Sequence, residues 1–134
     1  MKRVHVAVGV ILDARNRVLI TRRAAASHQG GLWEFPGGKV EEDEALQVAL
    51  ARELREELGI LTIRTAPLLE VQHDYTDKAV LLDVHVIHEF SGQARGLENQ
   101  PLRWVVAEGL RQYRFPAANQ PIVEAVIRLS LIHI

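Results

Sequence analysis

Cysteine is absent from this chain, which excludes disulfide staples and thiolate metal sites without fixing a compartment. An excess of either charge is also lacking. Sixteen Lys and Arg against 17 Asp and Glu leave a formal net charge of −1, with no basic footprint for nucleic-acid binding. No apolar run approaches the length that spans a bilayer. The opening MKRVHVAVGVIL is too short and too alternating for a secretory signal, so a cytoplasmic protein is the expectation. Internal repeats, low-complexity tracts and linkers are missing as well. What remains is 134 residues with 48% hydrophobic and 25% charged side chains, the balance of one globular domain over 1–134.

The stretch from Gly38 to Ile60, GKVEEDEALQVALARELREELGI, organises the rest. A Gly-rich turn, Phe35-Pro36-Gly37-Gly38, leads into a helical segment carrying Glu44, Arg52, Glu53, Glu56 and Glu57. Asp43 is the expected N-cap, and the acidic first turn suits the helix dipole. Leu46, Leu50, Leu54 and Leu58 recur every four residues as a buried stripe, and Gly59 stands where a left-handed residue ends a helix. Glu53, Glu56 and Glu57 fall at i, i+3 and i+4, so their carboxylates share the face away from that stripe. Like charges so placed repel by a few tenths of a kcal/mol per pair. A hard cation with oxygen ligands turns that cost into a site. By itself, RELREEL reads equally as a solvated face with an Arg52–Glu56 pair.

In chain order, Val4 to Leu12 reads as a buried strand and Arg17 to Thr21 as a second, joined in a hairpin across Asp13 to Asn16. Ala24 to Gly31 has no period and reads as a loop, and Leu32 to Phe35 as a short extended piece. After the helix, Leu61 to His73 and Ala79 to Phe90 are strands around a turn at Asp74 to Lys78. Ser91 to Gln100 is a polar loop containing Glu98, and Leu102 to Val106 is the last strand. Glu108 to Gln112 forms one helical turn, and Ala117 to Leu131 the final amphipathic helix, with Asn119 placed to cap it. This order predicts an α/β class with a mixed sheet between helices. His73, His85 and His88 lack zinc spacing, and Trp33 and Trp104 read as packing residues. The end, Ser130 to Ile134, stays apolar. It fits a helix packed on the core, an expression remnant, or the edge of a fused domain.

Gly38, Glu44, and the run Arg52-Glu53-Leu54-x-Glu56-Glu57-x-Gly59-Ile60 resemble the complete signature of the Nudix hydrolases, with every fixed position filled. VAVGVI at Val6, ITRRAA at Ile20, EFPGGK at Glu34 and FPAANQP at Phe115 are similar to the MutT branch over nearly the whole chain. The resemblance implies an α/β/α sandwich and a metal-dependent hydrolase of nucleoside triphosphates. Water would attack the β-phosphorus, 8-oxo-dGTP would be the preferred substrate, and the cellular role would be cleansing of the nucleotide pool. It further implies Mg²⁺, replaceable by Mn²⁺, on Glu53, Glu56 and Glu57 with a carbonyl from Gly37 or Gly38, and a metal-binding or base-like Glu98. Arg52 would orient the carboxylates, and Glu44 would stand behind them.

Arg23, His28, Glu34 and Phe35, with Pro36 and Gly37 beside them, and Asn119 match positions that hold the nucleotide. By the same resemblance, Lys78 stands where close relatives carry arginine, in a loop that would close over the base. Whether Glu53 or Glu98 accepts the proton is open at this level. Rival readings are a Nudix hydrolase of ADP-ribose or a dinucleotide, and a non-catalytic nucleotide sensor. A monomer that binds neither membrane nor nucleic acid is expected.

Overall fold

The structure, a computed structural model, describes residues 3–24 and 30–132. His28 and the middle of the expected loop lie outside them, as do His133 and Ile134. Among the described residues there are seven strands: β1 (Arg3–Ile11), β2 (Arg17–Arg22), β3 (Trp33–Glu34), β4 (Gly37–Lys39), β5 (Leu61–Asp74), β6 (Ala79–Ser91) and β7 (Leu102–Val106). Helix α1 spans Leu46–Leu58 and helix α2 spans Gln120–Ile132. Two 3-10 turns, Ala107–Gln112 and Ala117–Asn119, precede α2.

The strands form a mixed four-stranded sheet, ordered β4-β1-β6-β5, and an antiparallel three-stranded sheet, ordered β3-β2-β7. β1 and β6 run parallel in unbroken register from Arg3↔Ala79 to Ile11↔Ile87. The expected β1–β2 hairpin does not form. β1 already has β6 on one edge and β4 on the other, so β2 leaves for the second sheet after a single Leu12↔Val18 bridge. Asp13 fixes this crossing by accepting the amides of Arg15 and Arg17 on one oxygen and the Arg17 guanidinium on the other. The Gly-rich turn is also half strand, because Gly37 and Gly38 pair with Val8 and Ala7.

Period-two alternation makes β1 a wall between two cores. Ala7 and Ile11 pack with Leu50, Leu54 and Leu58 of α1. Val8 and Val10 face the opposite core with Ile122, Val123, Val126 and Ile127 of α2. The sheet therefore lies between helices, as expected.

Helix α1 differs from expectation at its start. Its N-cap is Ala45, without a side-chain cap bond, and Asp43 sits before it at φ 64°. Glu44 is outside the helix because Arg52 holds it there. Ala49 is buried with the leucines, while Leu46 is half-buried. The other end is as read: Gly59 is left-handed at φ 73° and its amide donates to the carbonyl of Arg55. The final helix is split, since Asn119 belongs to the 3-10 turn ahead of α2, and its side chain makes no hydrogen bond among the described residues.

Candidate active site

Two glycines set where the acidic face of α1 meets the sheet. A Cβ on Gly37 would lie 2.0 Å from the Ala7 carbonyl oxygen, and one on Gly38 would lie 2.2 Å from Cδ of Glu53. Only glycine at both positions allows β4 to close on β1 while the Glu53 carboxylate rests on the strand.

Arg52 orders the carboxylates. Its Nε donates to Glu44 Oε2 at 3.0 Å and Nη2 to Oε1 at 2.9 Å, a fork that matches the carboxylate plane. Nη1 donates to Oε1 of Glu53 at 2.8 Å, and Nη2 reaches the Lys39 carbonyl. The Arg52 bonds hold the Glu44 carboxyl below the usual range, and in turn Glu44 and then Glu53 raise the guanidinium. The i,i+4 partner expected for Arg52, Glu56, stands at 3.8 Å and is 56% exposed, so this contact is the weak one.

Glu57 sits deeper. Burial pushes its carboxyl up to about 9, reinforced by a hydrogen bond with Glu53 and by the charges of Glu53, Glu34 and Glu98. Four carboxyl groups from α1, β3 and the loop before β7 thus crowd one place. Among the described residues no three of these side chains converge as a ready cage, and one oxygen of Glu53 is already taken by Arg52. Their chemistry nevertheless fits a divalent cation: hard oxygen donors whose mutual repulsion a positive charge relieves. Glu53, Glu56, Glu57 and Glu98, with the Gly37 or Gly38 carbonyl, would hold it.

Beside this cluster opens a cavity of about 500 Å³. Glu57, Glu98, Gly37 and Gly38 form its acidic side, and Val6, Val8, Val80 and Leu82 of the sheet form an apolar wall. Phe35 lines it with Phe115 stacked behind, ring centroids 5.3 Å apart. Glu34 is bridged by the Arg23 guanidinium, which offsets only part of the burial that raises its carboxyl. Lys78, on the β5–β6 turn, and Asn119, on the 3-10 turn, reach the same cavity. Pro36 is buried behind it, its carbonyl taking the Gly9 amide at 2.8 Å.

Of the positions marked in the sequence, Arg23, Glu34, Phe35, Gly37, Gly38, Glu57, Lys78, Glu98 and Asn119 therefore border one space. Arg52 and Glu44 stand behind its acidic side. Sequence reasoning missed Tyr75, whose hydroxyl accepts the Ala118 amide at 3.0 Å and ties the β5–β6 turn to the turn bearing Asn119. It missed the valine wall too, although the alternation of β1 and β6 carried that signal.

A family model described as NUDIX domain matches residues 7–125. The chain is 36% identical over 129 residues to the 8-oxo-dGTP diphosphatase of Escherichia coli, covering 96% of this chain and 100% of that protein. It is 38% identical to the CTP pyrophosphohydrolase of Escherichia coli, over 96% of this chain and 95% of that one. A solved MutT structure, from a study of the Aliivibrio salmonicida and Vibrio cholerae proteins, superposes with a TM-score of 0.84 at 38% identity, covering 96% and 99% of the two chains.

Proposed function

The chain belongs to the Nudix family, and on that premise we propose that it is a nucleoside triphosphate pyrophosphohydrolase cleansing the nucleotide pool of 8-oxo-dGTP. The observation that carries this reading is the junction at Gly37 and Gly38, where a nucleoside-sized cavity opens onto the crowded carboxylates. A base and sugar fit against the valine wall and Phe35 while the phosphates run towards α1. Nudix hydrolases need a divalent metal, and we assign Mg²⁺ here, to neutralise phosphate charge and favour a nucleophilic water.

The chain's own groups do the rest. Water attacks the β-phosphorus, the bond from that phosphorus to the oxygen bridging it to the α-phosphate breaks, and a nucleoside monophosphate and pyrophosphate leave. Glu53 accepts the proton, because Arg52 fixes its carboxylate against Gly38, whereas Glu98 is exposed on its loop. Arg23, held by Glu34, and Lys78 supply positive charge towards the nucleotide. Asn119 reads the base edge, since an amide donates and accepts at once. A monomer of one Nudix domain, working in the cytoplasm without binding nucleic acid, completes the proposal. No helix among the described residues is long and apolar enough to cross a membrane.

A second reading, hydrolysis of CTP, draws support from the comparable identity to the CTP pyrophosphohydrolase. The test is a substrate panel with Mg²⁺: 8-oxo-dGTP, dGTP, CTP, ADP-ribose and a dinucleoside polyphosphate. The proposal expects the highest kcat/KM for 8-oxo-dGTP, with pyrophosphate released. A higher value for CTP, or release of orthophosphate and a nucleoside diphosphate in place of pyrophosphate, overturns it.

A further inference from the structure

Glu98 sits on a polar loop of the sort that normally wanders, yet this loop is stitched to the end of α1. The amides of Leu97 and Arg95 donate to the Glu57 and Leu58 carbonyls at 3.0 and 2.9 Å, filling acceptors that a helix end leaves open. One side chain joins this stitching to Glu98 itself. The Gln100 amide donates from Nε2 to the Glu57 carbonyl at 3.0 Å, and its Oε1 accepts the Glu98 backbone amide at 2.8 Å. We propose that Gln100 is a positioning residue, which holds Glu98 in register with Glu57 and so completes the acidic side of the site. The inference rests on the metal-dependent hydrolase reading above.

The chemistry explains why glutamine stands there. The bridge needs a donor towards Glu57 and an acceptor towards Glu98, set a few ångströms apart on one planar group. An ionised carboxylate can only accept, and it would face the Glu57 carbonyl with a negative charge. The loop is shaped for this contact: a Cβ on Gly96 would come within 2.3 Å of the Gln100 carbonyl oxygen, and Asn99 turns the chain at φ 63°. Leu97 remains 52% exposed, so apolar burial contributes little to the loop's position, and hydrogen bonds must supply it.

The experiment compares wild type, Gln100→Met, Gln100→Glu, Glu98→Gln and the Gln100→Met/Glu98→Gln double variant in three measurements. Amide exchange at Glu98 should accelerate at least tenfold in Gln100→Met, and less in Gln100→Glu, which keeps an acceptor for that amide and loses the donor to Glu57. Mn²⁺ affinity should fall by a similar factor in Gln100→Met and in Glu98→Gln, with no further fall in the double variant. Turnover should follow the same non-additive pattern, with KM within about twofold of wild type and melting temperatures unchanged within a few degrees. Independent, multiplying losses in the double variant would overturn the proposal, as would wild-type Mn²⁺ affinity in Gln100→Met. A wild-type chain inactive on every nucleotide would overturn the functional reading alone, because exchange and Mn²⁺ binding still decide the role of Gln100.

Discussion

Adding one methyl group at each of two adjacent glycines should separate folding from chemistry. In Gly37→Ala the new Cβ meets the Ala7 carbonyl oxygen at 2.0 Å and the Val8 Cα at 3.0 Å, both backbone atoms of the central strand. Neither can move without opening the β1–β4 pairing, so overpacking of about 3 kcal/mol is expected. For a domain of this size that lowers Tm by roughly 10 °C. In Gly38→Ala the nearest atoms to the new Cβ all belong to the flexible Glu53 side chain, Cδ at 2.2 Å, Oε2 at 2.3 Å and Cγ at 2.7 Å. Ordinary contact begins near 3.4 Å, so the carboxylate must retreat by about 1.2 Å, a motion its rotamers allow. Misplacing a reacting group by about 1 Å costs roughly 10²-fold in rate. Gly38→Ala should therefore fold like wild type, within about 1 kcal/mol, and lose about two orders of magnitude in kcat. Calorimetry and steady-state turnover on the two purified variants check this. Equal Tm losses, or full turnover in Gly38→Ala, would refute the reasoning.

Other perturbations test the remaining contacts. Because the Glu57 carboxyl is raised from 4.5 to about 9, the metal-free protein is stabilised fully below pH 4.5 and loses that contribution as pH rises through about 9. At about 1.4 kcal/mol per pH unit, over the 2.5 units from pH 4.5 to 7, the loss at pH 7 is at most about 3.5 kcal/mol. Melting curves in EDTA from pH 5 to 9 should slope downward, and Glu57→Gln or added Mg²⁺ should flatten them; a flat wild-type curve sinks the idea. Glu53→Gln keeps an oxygen for Arg52 and removes a crowded charge, so Tm should hold or rise while kcat falls at least 10²-fold. Asn119→Ala should compress the kcat/KM ratio of 8-oxo-dGTP to dGTP, because N7 donates in one base and accepts in the other, and a mismatch leaves a polar group unpaired at about 1–3 kcal/mol. An unchanged ratio removes Asn119 from base reading. Tyr75→Phe frees the Ala118 amide and should compress that ratio in the same direction, by a smaller factor; a larger loss for dGTP than for 8-oxo-dGTP would contradict it.

Local signals were legible from the residues and distant ones were not. The stop of α1 at Gly59, the β5–β6 turn and both ends of β7 follow from periodicity and turn chemistry close in the chain. The start of α1 went to Asp43 because capping preference is local, whereas Arg52, eight positions from Glu44, holds that carboxylate outside the helix. The four-residue turn reads as a β1–β2 hairpin, but edge competition in the sheet is a property of strands arriving from elsewhere. Tyr75 and Gln100 escaped notice for the same reason: each bonds a partner 43 residues away. The acidic face itself showed in the helical spacing, while its meeting with Glu34 and Glu98 depended on how the sheets stack.

The alternation of β1 has an evolutionary meaning. Its even-numbered side chains, Val6 and Val8, floor the cavity with Val80 and Leu82, while Ala7 and Ile11 on the other face hold α1 in place. Substitutions at the even positions can reshape the space offered to a base without loosening the packing that aims the glutamates. Substitutions at the odd positions do the reverse. A lineage can therefore wander from one nucleotide to another by exchanging a few aliphatic side chains, while purifying selection on the opposite face preserves the hydrolytic apparatus.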